Sequence, residues 1–231
     1  MAPAIIESKL SGLVISSIIG YNSKSYDTAT VIQYICTRNN SLTLLYLRKL
    51  KLSDHDVEDI CSGLNLHPDL KLLDLSCNNI SDFGAGFIIK YAARNKRLRG
   101  LFLAHNRLSD DSSYSLSCIL PASKIAMLDV SYNDITDRGL LCFLDILGPA
   151  PQLHILLWGN KIGHEFCAKY KALHTSGINF TGKLDVQVHV DNVYNFGFDH
   201  NPELDTFRRN YYSAFSTSDQ AMYATFPFHK V

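Results

Sequence analysis

Two aspartates lie where paired carboxylates could support acid–base chemistry. Asp74 and Asp129 each end a short alternating apolar pattern, and they are 55 residues apart (129 − 74). If each pattern is a strand, and one strand carrying Phe102 lies between them, a strand spacing of about 4.8 Å puts the carboxylates about 10 Å apart. That separation is compatible with an inverting glycosidase. Solvated polar positions are far commoner, however, and no surrounding pattern indicates a pocket, so the sequence predicts that the chain is not an enzyme.

The other residues with catalytic or metal-binding potential do not form a known arrangement. His164-Glu165 is followed by Cys167 and Ala168, so the second histidine of a zinc-protease helix is missing. Neither a G-x-x-x-x-G-K-[ST] phosphate loop nor a G-x-S-x-G nucleophile turn occurs. The six cysteines include no C-x-x-C pair. The sequence therefore predicts no metal site and no cofactor.

Charge and hydropathy argue against two classes of partner. The 22 basic residues balance the 22 acidic ones, which does not favour a surface for nucleic acid. The longest early apolar stretch, residues 10–20, is shorter than the roughly 18 residues of a membrane helix and lacks a signal-peptide cleavage pattern. Free buried cysteines explain the cysteine positions and favour a reducing compartment. We therefore expect a cytoplasmic protein that binds neither nucleic acid nor membrane.

The elements that hold these residues come from an internal repeat. Four segments, beginning at residues 70, 98, 125 and 152, fit the pattern L-x-x-L-x-L-x-x-N-x-L, except that Gln152 replaces the first apolar residue. Their asparagines are spaced by 28, 27 and 27 residues. These asparagines are Asn78, Asn106, Asn133 and Asn160.

Two further units precede the four. Residues 42–52 repeat the apolar spacing, with Leu50 in place of the asparagine. A degenerate unit within residues 10–40 fits either of two registers, one based on residues 10, 13 and 15 and the other on Asn22. End units of a repeat array are often atypical, so this unit is interpreted as a cap.

The pattern predicts one strand, one turn and one helix in each unit. Alternating apolar residues are typical of a short strand with one buried face. An asparagine amide at the following turn can donate to and accept from backbone groups that the turn leaves unpaired. Ser-Asp or Thr-Asp pairs then recur in phase, and these residue types favour helix N-termini. The predicted pairs begin at Ser53, Ser81, Ser109 and Thr136.

These motifs resemble leucine-rich-repeat proteins, in the long-repeat class similar to ribonuclease inhibitor. The resemblance implies an α/β solenoid, with short parallel β-strands on the concave face and α-helices on the convex face, whose work is protein–protein recognition. The boundaries predicted are residues 1–177 for the solenoid and its N-terminal cap, and residues 178–231 for a capping strand and an aromatic-rich tail. Leu184, Val186, Val188 and Val190 alternate with polar residues, which predicts that strand.

The segment around residues 184–194 also resembles the ending of leucine-rich-repeat proteins of cilia and flagella. This resemblance implies a structural component of a ciliary or axonemal assembly. The alternative is a regulator of an enzyme, such as an activator of a small GTPase, because proteins of similar build include such regulators.

The strand pattern places alternate strand side chains on the concave face of the sheet. A second row of side chains lies just beyond the ends of the strands. Aromatic residues and arginine dominate interface hot spots, so these rows are the expected partner-binding surface. For Trp158, coverage by the chain's own tail is an equal alternative. The expected residues are Tyr46, Arg48, Asp74, Phe102, His105, Asp129, Tyr132 and Trp158.

The tail is a second candidate for partner binding. Residues 178–231 hold 11 of the chain's 24 Phe and Tyr residues, whereas disordered tails are usually poor in aromatics. We expect the tail to dock on another protein of a multi-protein assembly, and the alternative is that it folds back on its own solenoid. The expected contact residues are Arg208, Arg209, Tyr211, Tyr212 and Phe215.

Overall fold

The structure is a computed structural model, and it describes residues 12–14, 42–178, 183–191 and 193–198. The predicted tail contacts from Arg208 to Phe215 lie outside these residues, as does most of the N-terminal unit. Within the described ranges, no helix is long and apolar enough to cross a membrane.

Short parallel strands form the sheet of the solenoid. The strands are β1 (Gly12–Val14), β2 (Leu44–Tyr46), β3 (Leu72–Asp74), β4 (Gly100–Phe102), β5 (Met127–Asp129) and β6 (His154–Leu156). They are hydrogen-bonded in chain order, each parallel to the next. Corresponding repeat positions are paired, because Leu45, Leu73, Leu101, Leu128 and Ile155 stand in one register.

A helix follows each strand from β2 onward. The helices are α1 (Asp54–Leu64), α2 (Asp82–Arg94), α3 (Asp110–Ile119), α4 (Asp137–Ile146) and α5 (His164–Thr175), with a short 3₁₀ turn at Leu120–Ala122. The N-caps are Ser53, Ser81, Ser109, Thr136 and Gly163. This strand–helix alternation confirms the predicted leucine-rich-repeat solenoid.

The main core lies between the sheet and the helices. Strand residues such as Leu73, Leu101 and Leu128 and helix residues such as Ile88 and Phe143 belong to one buried cluster. Each unit buries a strand side and a helix side only against its neighbours, so the repeats stabilise one another along the solenoid.

The asparagine of each repeat bonds to the preceding repeat as well as its own. The Asn106 amide donates to the backbone oxygens of Leu75, at 3.1 Å, and of Leu103, at 3.0 Å. Its Oδ1 accepts from the Ile80 N–H at 3.1 Å. Asn78, Asn133 and Asn160 make the corresponding bonds. Buried backbone groups at the turns are thereby satisfied by a side chain one repeat away.

A second ladder joins the helix N-termini. The first residue of each helix from α1 to α4 is an aspartate that accepts from the N-cap of the next unit: Asp110 Oδ1 lies 2.8 Å from the Thr136 N and Oδ2 lies 2.7 Å from its Oγ1. Asp54, Asp82 and Asp137 do the same for Ser81, Ser109 and Gly163. The sequence indicated helix starts here but not that the aspartates bridge repeats.

Hydrogen bonds from Ser109 and Ser112 also set the charge state of Asp82. Partial burial alone would raise the pKa of Asp82, but these hydrogen bonds favour the carboxylate and leave its pKa below the ordinary value. Asp82 therefore acts as a charged acceptor beside the positive end of the next helix.

The two ends of the sheet differ. At the N-terminal end, Leu13 pairs with Leu45, which fits the register based on residues 10, 13 and 15 rather than the one based on Asn22. At the C-terminal end, the Ile155 N–H donates to the Lys183 oxygen at 2.8 Å, and the Leu157 N–H donates to the Asp185 carboxylate at 2.6 Å. Residues 183–185 thus satisfy donors on the last parallel strand.

A hairpin follows this edge. Strands β7 (Val186–Asp191) and β8 (Val193–Phe198) pair antiparallel, and both pack on α5. Leu184 and Val186 are buried in the main core. The described part of the C-terminal region is therefore packed onto the last repeat.

Candidate functional site

The sheet has a second apolar cluster on the side away from the helices. It contains alternate strand residues, the ones whose side chains point opposite to Leu73 and Leu101. Its members are Leu44, Tyr46, Leu72, Phe102, Met127 and Leu156. Every member belongs to a strand, whereas the main core contains both strand and helix residues.

This cluster corrects the expected exposure of four candidate residues. Tyr46, Asp74, Phe102 and Asp129 were expected to be open to a partner, but their exposed fractions are 5%, 0%, 0% and 8%. On the same face, two residues earlier in three of the strands, lie Leu44, Leu72 and Met127, so this face is apolar. Those residues were a readable signal, since a solvated sheet face normally alternates with polar side chains.

Asp74 is a buried carboxylate beside Arg48. Its Oδ1 accepts from the Ser76 N–H at 2.9 Å, and its Oδ2 lies 3.6 Å from Arg48 Nη1. Burial raises the pKa of Asp74, and the positive charge of Arg48 opposes that rise. The Arg48 guanidinium also contacts Cys77, with Nη2 3.7 Å from Sγ. Arg48 therefore lies across the end of β3, half-buried between a carboxylate and a thiol.

Asp129 occupies the same position two repeats further along. Its Oδ1 accepts from the Ser131 N–H at 3.0 Å and the Ser131 hydroxyl at 2.6 Å. The strand register aligns Asp74 with Phe102 and Phe102 with Asp129, so an aromatic ring position separates the two carboxylates. With Asp74 fully buried, the pair presents no accessible acid and base to a substrate in this conformation.

The residue just before each turn asparagine, or before Leu50 in the first of these units, belongs to a row at the end of the strands in which all but the half-buried Cys77 are exposed. We call Lys49, Cys77, His105, Tyr132 and Gly159 the rim row. All five adopt positive φ, between 52° and 82°. Four carry side chains in this left-handed conformation, which is uncommon for residues other than glycine and asparagine. The asparagine ladder holds each turn, so the row is fixed by the same bonds that stack the repeats.

His105 and Tyr132 form a flat aromatic pair in the rim row. Their rings are stacked, with centroids 4.2 Å apart and an interplanar angle of 7°. Tyr132 is 45% exposed, and His105 is also exposed. The Tyr132 ring packs over Gly159, where an added Cβ would lie 2.5 Å from the ring. The two residues therefore present one ring surface whose position is set by three neighbouring repeats.

Desolvation of His105 favours its neutral form. Desolvation lowers the pKa of His105, and the positive charges of Arg48 and Lys49 lower it further, while Asp129 acts in the opposite direction. A neutral imidazole can stack on a phenol ring and still offer one donor and one acceptor.

Trp158 lies apart from the rim pair. Its side chain is half-buried and packs against the main core, and its backbone N–H donates to the Asp185 carboxylate at 3.3 Å. The last repeat thus meets residues 183–186 at Trp158. Of the eight expected concave residues, the structure brings His105 and Tyr132 together at the surface, buries four, and leaves Arg48 and Trp158 half-buried.

The geometry defines the class of protein. Stacked strand–turn–helix units, an asparagine ladder and left-handed turns are the features of a leucine-rich-repeat protein. A family model described as "Leucine Rich repeat" matches residues 67–88 and 127–144. The fold is a leucine-rich-repeat solenoid, this match supports a leucine-rich-repeat protein, and proteins of that kind bind other proteins.

Several curated proteins are similar to it. "Leucine-rich repeat-containing protein 34" of Rattus norvegicus is 27% identical over 184 residues, which cover 78% of this chain and 44% of that protein. "NACHT, LRR and PYD domains-containing protein 12" of Homo sapiens is 31% identical over 143 residues, covering 61% and 13%. "Protein phosphatase 1 regulatory subunit 37 homolog" of Caenorhabditis elegans is 28% identical over 131 residues, covering 53% and 14%. The chain thus spans less than half the length of these relatives.

Proposed function

We propose that this chain is a non-catalytic scaffold module that binds another protein through its rim row. The observation that carries the proposal is the stacked, exposed pair of His105 and Tyr132 on rigid turns. Large aromatic surfaces are typical of interface hot spots. A surface that is already ordered loses little conformational entropy on binding, so more of the contact energy remains as affinity.

Charge supports the same surface. Lys49 is exposed at one end of the row, and Arg48 lies beside it. A partner that places an acidic or aromatic side chain against this part of the row would meet both a cation and a ring face. Asp74 is fully buried, so it does not reach a substrate at this surface, which supports a scaffold rather than a hydrolase.

The finer proposal is a component of a multi-protein ciliary or axonemal assembly in the cytoplasm. Its support is the resemblance of the segment around residues 184–194 to leucine-rich-repeat proteins of cilia and flagella. We propose other proteins as the partners, and neither nucleic acid nor membrane, because the charges balance and no basic stripe is present in the sequence.

Cross-linking mass spectrometry of native extract tests the proposed surface. The full chain should give intermolecular links concentrated near Lys49 and the rim row. The double substitution His105→Ala and Tyr132→Ala should reduce recovery of those partners by roughly tenfold or more, as expected for loss of a hot spot. Tyr114→Ala is the matched control, since Tyr114 is exposed on α3. Equal loss with Tyr114→Ala, or no loss with the double substitution, would contradict the proposal.

A second candidate is regulation of an enzyme, including activation of a small GTPase. One relative carries the name of a protein phosphatase 1 regulatory subunit, which supports a regulatory role for this type of solenoid. The candidate predicts that adding this chain changes the rate of GTP hydrolysis across a panel of small GTPases, or the rate of a phosphatase. Unchanged rates in both assays would remove it.

A further inference from the structure

The segments that lead into three of the strands carry an excess of positive charge. Residues 65–71, 95–99 and 120–126 join the ends of α1, α2 and α3 to β3, β4 and β5. Together they hold five Lys and Arg residues but one acidic residue, Asp69. The basic residues are Lys71, Lys96, Arg97, Arg99 and Lys124. The net charge of zero therefore does not mean that charge is evenly distributed over the solenoid.

Stacking of the repeats brings four of these residues together. Lys71 and Arg99 lie directly before β3 and β4, and the Arg99 N–H donates to the Lys71 oxygen at 2.8 Å. The Arg99 guanidinium reaches the next repeat, where its Nη1 lies 3.4 Å from the Lys124 oxygen. Arg97 and Lys124 share one register position, 27 residues apart (124 − 97). We call Lys71, Arg97, Arg99 and Lys124 the basic edge. It spans 53 residues of sequence (124 − 71) but only three consecutive repeats.

Side-chain hydrogen bonds hold the loops of the basic edge in place. The buried Asn95 accepts through Oδ1 from the Arg97 N–H at 2.7 Å. Its amide donates to the Leu70 oxygen at 3.2 Å, which ties this loop to the preceding repeat. In the following repeat, Ser123 Oγ accepts from the Ile125 N–H at 3.2 Å. The backbone that carries the cations is therefore ordered before a partner binds, which lowers the entropic cost of binding.

Little of this charge is neutralised by the described residues. Arg97 Nε lies 3.6 Å from Asp69 Oδ1, and both side chains are 64% exposed, so solvent screens this pair. Among the described residues, no carboxylate forms a salt bridge with Lys71, Arg99 or Lys124. Arg99 is half-buried and the other three members are exposed. The basic edge can therefore receive carboxylates from another molecule.

We propose that the basic edge binds an acidic segment of another protein, which lies extended across the entry ends of the strands. Neighbouring strands are about 4.8 Å apart, so the two repeat steps from Lys71 to Lys124 cover about 10 Å. An extended chain rises about 3.3 Å per residue, so three of its residues cover the same distance. Arginine binds a carboxylate through two parallel hydrogen bonds, and lysine adds a point charge. A short run of Asp and Glu residues therefore matches this surface. The inference does not rest on the proposed function.

The size of the basic edge favours a protein segment over nucleic acid. At the position of Lys71 and Arg99, the flanking repeats carry the uncharged residues Thr43 and Ala126. The row of charge therefore ends within about 10 Å. Duplex DNA carries one negative charge per about 1.7 Å of axis, and proteins that follow its backbone neutralise several phosphates along a longer surface.

Fluorescence anisotropy with a defined probe tests the proposal. The probe is a fluorescein-labelled peptide of six consecutive glutamates flanked by glycines, titrated with the full chain at physiological ionic strength. The triple substitution Lys71→Glu, Arg99→Glu and Lys124→Glu should weaken binding at least about tenfold, because it replaces attraction by repulsion. A probe with glutamine in place of each glutamate should not bind. Unchanged affinity in the triple variant would overturn the proposal.

A matched triple substitution controls for net charge. Lys51→Glu, Arg107→Glu and Arg138→Glu change the net charge by the same amount, at exposed residues outside the basic edge. Charges more than about 8 Å away are largely screened at this ionic strength, so the affinity should stay within about twofold of the unmodified chain. Equal losses in the two triple variants would overturn the proposal. The single substitutions Lys71→Glu and Lys124→Glu, each expected to weaken binding about threefold, decide the matter if the triple variant does not fold.

Zero-length cross-linking shows where the probe binds. A carbodiimide joins a carboxylate to a lysine amine in direct contact, so the expected links are to Lys71 and Lys124. Links mainly to Lys49 or Lys161, which lie at the ends of the strands where the turns begin, would overturn the proposal.

A second probe distinguishes the two classes of anion. A single-stranded oligothymidylate with the same net charge as the peptide is titrated under the same conditions. The hexaglutamate peptide should bind at least as tightly as the oligonucleotide. Tighter binding of the oligonucleotide, lost in the Lys71, Arg99 and Lys124 triple variant, would assign the basic edge to nucleic acid and overturn the proposal.

Discussion

The two faces of the solenoid sheet are both buried, but by different kinds of neighbour. On the helix face, strand and helix side chains of successive repeats pack into one core. On the other face, six strand residues form a cluster to which the described helices contribute nothing. The first face is closed by the repeat itself, whereas the described helices do not close the second. The repeat pattern therefore predicts the burial of side chains between strands and helices, but not the burial of side chains on the other face of the sheet.

The largest expected effect compares one phenylalanine from each face. Phe143 and Phe102 are both fully buried. Phe143→Ala should lower the free energy of unfolding by about 3–5 kcal/mol because it leaves a cavity among packed repeats. Phe102→Ala should cost a similar amount, because Phe102 is as deeply buried on its own face of the sheet.

Urea denaturation of the two variants measures this difference. A cost for Phe102→Ala within about 1 kcal/mol of that for Phe143→Ala means that both faces are equally closed in solution. A Phe102→Ala cost near zero would show instead that the second face is open.

The next largest effect on stability concerns the turns that follow the strands. Asn106→Ala removes the amide that bonds to Leu75, Ile80 and Leu103, and it leaves buried backbone groups unpaired. We expect a loss of about 3 kcal/mol in the free energy of unfolding. Asn79→Ala is the matched control, because Asn79 is exposed and is not part of the asparagine ladder. Similar losses for both variants, measured by denaturation, would contradict a ladder that stabilises the stack.

Two helix glycines test how closely neighbouring repeats approach each other on the helix face. An added Cβ at Gly139 would lie 2.6 Å from Asp110 Oδ1 and 2.9 Å from Asp110 Cα, so Gly139→Ala should force two repeats apart. A cost of about 1–3 kcal/mol is expected. Gly86 is also inside a helix, but no atom lies within 4 Å of its added Cβ. Gly86→Ala should therefore stabilise the chain by about 0.5–1 kcal/mol. Thermal melts in which both variants shift in the same direction would contradict the close approach at Gly139.

The smallest effect is a pH dependence. Burial lowers the pKa of His67, near the end of α1, and of His105, in the rim row, below the ordinary value of 6.5. A lowered histidine pKa means that the unfolded chain binds more protons. Stability is therefore complete above about pH 6.5 and is lost as the pH falls below it.

Substitution separates the two histidines. His67 is buried and His105 is exposed, so His67→Gln should flatten the pH dependence of the melting temperature between pH 7 and 5 more than His105→Gln does. A steeper loss of stability in the His67→Gln variant would show that the sign is wrong.

The partner-binding residues illustrate the limits of the sequence pattern. It correctly separated the side chains that face the helices from those that do not, because strand periodicity is local. Among the side chains that point away from the helices, it wrongly predicted that Tyr46, Asp74, Phe102 and Asp129 would be exposed to solvent. The stacking of His105 on Tyr132 also needed coordinates, since it depends on left-handed turns in two consecutive repeats.

The sequence by itself determined the repeat, its phase and the fold. Leucine spacing, turn asparagines and helix-start residues all act over a few residues, so they are visible in one dimension. The tertiary structure decided how neighbouring units are joined, with Asp110 bonding to Thr136 and Asp54 to Ser81 across repeats. It also decided that Phe102 and Asp74 are buried, because burial depends on neighbours that are distant in sequence and meet only after the solenoid has formed.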